Sequence, residues 1–176
     1  GQLTSWTFDG KELINEGPAF NSYRDIDNDR NCKFSFSKAL PSKGSVSQNG
    51  NNVVAEVSGG GTNCDYTIKY TIYPDATVDM YVTLTPSGDT RRVGISMQIA
   101  KGFENVEYYA RGPWSNYVDR KTGSYLGRYV TTVDDMIEEN IHPQTYGDHQ
   151  DLRELTLTNA TNGIALNVKT GDQVAF

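Results

Sequence analysis

Residues 65–100, DYTIKYTIYPDATVDMYVTLTPSGDTRRVGISMQIA, carry the clearest structural signal in the chain. Tyr66, Ile68, Tyr70 and Ile72 alternate with polar partners. Val78, Met80, Val82 and Leu84 repeat the pattern, and Val93, Ile95, Met97 and Ile99 repeat it again. A period of two sustained over such runs marks half-buried β-strands. The PDA at 74–76 and the PSGD at 86–89 supply the turns between them. The expected product is a meander of three antiparallel strands with one buried and one wetter face.

The same period extends outward. Leu3–Phe8 reads as a first strand, and Asp9-Gly10 gives the signal of a type I′ hairpin turn before Leu13 and Ile14 open the return. Val53–Val57 reads as a short strand, as do Val106, Tyr108 and Ala110. Leu155 and Leu157 alternate, then Ile164, Leu166 and Val168, with NATNG at 159–163 as the turn. Between these, VDDMIEENIHPQTYGDHQD at 133–151 reads as a long loop with a helical turn near 134–139. The final NVKTGDQVAF at 167–176 reads as a further turn and a new alternation, Val174 then Phe176. Because an alternation that stops so early is rarely a domain's end, the sequence predicts one β-sandwich domain over 1–176, a fragment of a longer multidomain chain.

Composition narrows the function classes. At 176 residues one domain is the default. The net charge of −6 disfavours nucleic acid, whose phosphates require a basic face. No apolar run approaches a membrane helix, and no secretory signal is present. The expectation is a soluble protein with no membrane partner. The opening GQLTSW reads as a mature terminus or an excised piece. Cys32 and Cys64 either bridge or stay free thiols, since spacing does not fix their separation. No Cys-x-x-Cys motif points to a metal or redox site.

Several clusters invite chemistry. Asp25, Asp27 and Asp29 in DIDNDRN, 25–31, take the first, third and fifth places of a calcium loop. The required glycine and distal glutamate are replaced by Arg30 and Phe36, which excludes an EF-hand. An Asx-stabilised turn with Arg24 or Arg30 as counter-ion fits better. His142 and His149 have no evident nucleophile to serve. Gly59–Gly61 lacks the lysine of a phosphate loop. No spacing singles out a pair of catalytic carboxyl groups. The densest cluster is YYARGPWSNYVDRKTGSYLGRY, 108–129, built around Gly112-Pro113, where glycine permits unusual dihedrals and proline fixes its own φ. There Arg111 could pair with Asp119 to lock the turn's exit. Trp114, Tyr117, Tyr125 and Tyr129 could stack on a sugar ring or on each other.

Three motifs that occur in the family's order carry a resemblance, and the opening segment also fits it. ARGPWSNYVDRKTGSYLGRY at 110–129 resembles the Gly-Arg-Gly-Pro-x-Glu-Asn-Tyr-x-Asp-Arg segment of glycoside hydrolase family 2 β-galactosidases. HPQTYGDHQDLRELTLTN at 142–159 resembles that family's Pro-Gln-x-x-Gly-Asn-x-x-Asp-x-Arg-x-Leu-x-Leu-x-Asn. YRDIDND at 23–29 is similar to its acidic loop, and LTSWTFDGKELI at 3–14 to the start of its last β domain, the small-chain region. Ala110 and Ser115 depart from the usual glycine and glutamate.

The resemblance implies an all-β, antiparallel sandwich of the galactose-mutarotase-like supersandwich type, truncated at its C-terminus. It marks Arg111, Gly112, Pro113, Trp114, Asn116, Tyr117, Asp119, Arg120, His149 and Arg153 as motif, interface or carbohydrate-contact positions. Asp27, Asn28 and Asp29 are the corresponding acidic-loop positions. It also implies that the catalytic glutamates lie in a separate barrel, so no catalytic residue, metal or cofactor is expected in this chain. The partners implied are other domains of the same β-galactosidase, with a galactoside or an oligomer as further candidates. The leading function is a non-catalytic scaffold of that enzyme. A carbohydrate-binding module and an aldose-1-epimerase-like enzyme using His149 are the alternatives.

Overall fold

The computed structural model describes residues 3–22, 38–39, 41–61, 64–88, 92–139 and 146–176. They form strands β1 Thr7–Phe8, β2 Lys11–Glu12, β3 Ile14–Asn21, β4 Lys38–Ala39, β5 Lys43–Asn49, β6 Asn52–Gly61 and β7 Cys64–Ile72. After these come β8 Val78–Pro86, β9 Gly94–Ile99, β10 Asn105–Gly112, β11 Tyr125–Thr132, β12 Leu152–Thr158 and β13 Ala165–Val174. The helical content among the described residues is one 3₁₀ turn, Asp134–Met136. The expected all-β, antiparallel class is therefore what forms. The chain divides into two compact units, 1–100 and 101–176.

In the first unit β5-β6-β7-β8 make a four-stranded antiparallel sheet and β4-β3-β9 a three-stranded one. The alternation read in residues 64–84 dictates which side is inside. Cys64, Tyr66, Ile68 and Tyr70 of β7 are buried while their neighbours face outward. Val57 joins them from β6, with Val82 and Leu84 from β8 packed against the cluster. Phe20 of β3 and Ile95 of β9 close the core from the other sheet, and the Phe20 ring stacks on Tyr66 at 5.7 Å. Two sheets facing across one apolar layer make a sandwich. The turns follow the predicted chemistry. Asp9 and Gly10 both have positive φ, 48° and 69°, as a type I′ turn requires. The loop after β7 closes with the Tyr73 amide donating to the Thr77 carbonyl at 2.9 Å.

The structure corrects several expectations. The third strand of the meander exists, but β9 pairs with β3 rather than with β8, through Phe20↔Ile95 and Ile14↔Ile99. Alternation shows which side of a strand is apolar; it does not say which neighbour receives its backbone hydrogen bonds. Of the strand expected over Leu3–Phe8 only Thr7–Phe8 forms, and β6 extends to ten residues. β5 gives no apolar signal because every residue of it is exposed at the sheet edge. β3 contains Gly17-Pro18, normally a breaker, and its register shifts there. A Cβ on Gly17 would collide with the Leu3 carbonyl, so only glycine permits this approach.

Tyr70 is the one flaw among the described buried groups. Its hydroxyl is buried with no hydrogen-bond partner, and burial, then the neighbouring Tyr66, pushes its pKa to about 12. An unpaired buried hydroxyl costs about 1–3 kcal/mol. Tyr70→Phe is therefore expected to hold or raise stability, by up to that amount, in urea denaturation. A clear loss would mean that the hydroxyl is paired in solution.

The second unit is one antiparallel sheet, β11-β10-β12-β13. Val106, Tyr108 and Ala110 of β10 lie buried on one face with Leu152, and Tyr129, Leu155, Leu157, Met136 and Phe176 pack there. The opposite face carries a charge ladder: Arg128 with Glu154 at 2.6 Å and Lys169 with Glu154 at 3.8 Å. The TGD at 170–172 is not a turn. β13 runs through it with a register shift opposite Leu152–Glu154, so Val174 still pairs with Leu152.

Candidate functional site

The motif cluster forms where β10 leaves its sheet. Arg111 and Gly112 are the last residues of β10, the Gly112-Pro113 bond is cis, and residues 113–124 loop back to β11. Gly112 does not have a positive φ. Its need is space: a Cβ there would lie 2.8 Å from the Tyr108 hydroxyl and 2.9 Å from the Tyr129 ring. Packing, and not the unusual dihedrals expected at this position, is what requires glycine.

A chain leaving a sheet loses its ladder partners, and its buried carbonyls must find others. Here five successive carbonyl groups accept from side chains. The Arg111 oxygen takes the Asn116 amide at 3.1 Å and His149 Nδ1 at 2.9 Å. The Gly112 oxygen takes the Tyr129 hydroxyl at 3.1 Å, and the Pro113 oxygen takes the Tyr108 hydroxyl at 3.3 Å. The Trp114 oxygen takes the second bond of the Asn116 amide at 3.0 Å, and the Ser115 oxygen takes Arg120 at 3.3 Å. The concentration of polar and aromatic residues in 108–129 is the inventory of donors for this turn.

Asn116 is the hub. It is fully buried, at 0% exposure. Its amide nitrogen bridges the two carbonyls above, while its Oδ1 accepts from the Gln150 amide at 3.0 Å. Its own backbone amide donates to the Asp148 carbonyl at 2.6 Å. The segment 148–151 is thereby tied to the turn, and the Arg111 amide adds a bond to the Gln150 carbonyl at 2.9 Å.

The partner of Arg111 is Asp151, forty residues along the chain, and not the expected Asp119. Arg111 Nε donates to Asp151 Oδ2 at 2.5 Å and Nη1 to the Ser124 carbonyl at 3.0 Å. Lys121 stands 3.8 Å from the other carboxylate oxygen. Asp151 has φ of 59°, a left-handed conformation that aspartate and asparagine tolerate better than most residues.

The Arg111 hydrogen bond, then the Lys121 charge, holds the Asp151 carboxyl below its ordinary value of 3.8. Its contribution is thus present above that value and is lost as pH falls through the lower folded value. Asp151→Asn is expected to cost about 1–3 kcal/mol at neutral pH. The gap to wild type should close as the solution is acidified below about pH 4. Melting temperatures across that range test this, and a gap that stays constant would refute it.

His149 is buried, with its ring centroid 4.8 Å from Tyr108 and 5.2 Å from Phe176. Because a carbonyl can only accept, Nδ1 carries the hydrogen. Burial, then the adjacent Tyr129, raises the Tyr108 hydroxyl to about 12, so it stays a donor. Phe176 exchanges two backbone hydrogen bonds with His149, at 3.0 and 3.2 Å.

The remaining motif side chains stand differently. Tyr117 is half-buried with the Arg120 guanidinium 5.7 Å from its ring centre, while Asp119, Arg120 and Arg153 are exposed. Trp114 is 73% exposed. Asp27, Asn28, Asp29, His142 and Cys32 lie outside the described residues. Cys64 is a buried free cysteine. The participants that spacing missed are Tyr108, Asp151 and Phe176, together with the donor role of Tyr129. Asp151 had a signal as the aspartate of the second motif, while Tyr108 and Phe176 were legible only as strand residues.

A family model described as beta galactosidase small chain matches residues 1–174. The chain is 27% identical to a β-galactosidase of Halalkalibacterium halodurans over 96% of its own length and 18% of that protein's. It is 29% identical to a β-galactosidase of Streptococcus thermophilus over 89% of its length and 17% of that protein's. A β-galactosidase of Priestia megaterium is 26% identical over 90% of the chain and 17% of that protein. The chain thus spans less than a fifth of the length of these relatives. With the match running through both units, the chain belongs to the β-galactosidase small-chain family.

Proposed function

We propose that this chain is a non-catalytic scaffold region of a larger β-galactosidase, an enzyme of glycoside hydrolase family 2 that hydrolyses terminal β-D-galactosides. In this reading its partners are the other domains of the same polypeptide, which hold the catalytic glutamates. The chain folds as part of a galactose-mutarotase-like supersandwich and needs no cofactor of its own. One observation carries the reading: five successive carbonyls, 111–115, are each met by a side-chain donor of the motif. Donors spent on their own backbone hold the shape of the turn, and that supports a scaffold.

A chromogenic β-galactoside separates the possibilities. The 176-residue chain alone is expected to give no turnover. The gene product that contains it is expected to lose most of its turnover when Gly1–Phe176 is deleted. Turnover by the chain alone that scales with its concentration would overturn the scaffold reading.

Trp114 favours a second reading. An indole 73% exposed on a turn so firmly fixed is the form of a sugar-stacking platform. If the chain is a carbohydrate-binding module, galactose or lactose will shift tryptophan emission, and Trp114→Ala will abolish the shift. A flat titration supports the scaffold.

A further inference from the structure

The chain contains two Asn-Gly pairs, Asn49-Gly50 and Asn162-Gly163. Both lie at turns between antiparallel strands, both asparagines are exposed, and both glycines have positive φ, 60° and 73°. By sequence they are equivalent. The structure makes them different.

At the second pair the reactive groups are engaged. The Gly163 amide donates to the Asn159 carbonyl at 2.9 Å, and Asn162 Oδ1 accepts from the Ile164 amide at 3.0 Å. The first pair is at the tip of the β5–β6 hairpin, where Gly50 and Asn51 join the closing pair Asn49↔Asn52. The side-chain bond there is from Gln48 to the Gly50 carbonyl, at 3.1 Å. Among the described residues neither the Gly50 amide nor the Asn49 side chain has a hydrogen-bond partner. The space where a Cβ would stand is empty to 4 Å at Gly50 and at Gly163 alike, so the difference between the two pairs lies in their hydrogen bonds.

We propose that Asn49 is a site of spontaneous backbone modification, in which the Gly50 amide nitrogen attacks the Asn49 side-chain carbonyl carbon. Water takes the amide proton as the nitrogen–carbon bond forms. Ammonia leaves with a proton, and a five-membered succinimide remains. One water then opens the ring at either carbonyl, giving aspartate or isoaspartate. The sum is asparagine plus water to acid plus ammonia, with no redox step. The acid adds one negative charge to a chain already at −6. Isoaspartate also lengthens the backbone by one carbon at the residue that closes the β5–β6 ladder. Among the described residues β5 pairs with β6 alone, so the change loosens one exposed edge strand and leaves the core intact. The ligand class for the modified site is an enzyme that recognises an isoaspartyl carboxylate.

The test is peptide mapping by mass spectrometry of the folded chain aged at mildly alkaline pH. An isoaspartyl methyltransferase with labelled methyl donor reports the branched product. Asn49 is expected to convert at least about tenfold faster than Asn162, the factor set by one net hydrogen bond. In urea the two rates should converge. Asn49→Gln should remove the labelled product at this position, because its ring would need six members. Equal rates in the folded chain, or an unchanged ratio in urea, would overturn the proposal.

Discussion

Asn116→Ala is expected to lower stability by about 3–5 kcal/mol. For a chain of this size that is a fall in melting temperature of about 6–20 °C. The side chain is fully buried and serves three groups: the Arg111 carbonyl, the Trp114 carbonyl and the Gln150 amide. Arg111 keeps His149 as a second donor. The other two groups are left without their side-chain partner, at about 1–3 kcal/mol each, and a cavity adds to this.

Asn116→Asp sharpens the test. It preserves volume and keeps the acceptor for Gln150, but it turns oxygen toward two carbonyl oxygens. It is expected to be at least as destabilising as alanine. Trp114→Ala, two residues away and exposed, should stay within about 0.5 kcal/mol of wild type. Urea denaturation of the three variants decides the matter. A loss below about 1 kcal/mol for Asn116→Ala would mean that the turn does not depend on this hub.

The second large effect is in the first unit. Phe20→Ala is expected to cost about 3–5 kcal/mol. Phe20 is fully buried, belongs to the three-stranded sheet and stacks on Tyr66 of the four-stranded one at 5.7 Å. Its removal opens a void where the two sheets meet, and paired strands on both sides limit collapse. Phe20→Leu should recover more than half of the loss, because it refills most of the volume. A similar cost for both variants would mean that the ring stack on Tyr66, and not the filled volume, supplies most of the stabilisation.

The legible parts of this protein share a cause. β7, β8 and the β12–β13 hairpin are readable because each has one apolar and one polar face, and a two-residue period survives in the chain. The type I′ turn at Asp9-Gly10 is readable because few residue pairs accept positive φ at both positions. β5 is not, since an edge strand exposed on all sides has no face to betray. β11 escapes for a related reason. Its Tyr125, Leu126 and Val130 are exposed, so its apolar residues do not alternate with polar ones. The TGD in β13 mimics a turn, and only pairing with β12 shows that the strand absorbs it.

The site divides in the same way. Its location is legible, because Gly-Pro among arginines and tyrosines is a rare composition and the motifs stand in family order. Its wiring is not. Asp119 is eight residues from Arg111 and has the chemistry of a partner, yet Asp151 holds that place.

An all-β antiparallel class, the family and the stretch that forms the special corner can all be read from the order of residues alone. Side-chain periodicity and turn chemistry are local, and local properties are written in neighbouring residues. That β9 joins β3, that Asp151 meets Arg111, and that Asn116 links the turn to residues 148–151 emerge only from the folded chain. Hydrogen bonds and ion pairs depend on separation in space, and separation along the chain does not fix that once strands have crossed between sheets.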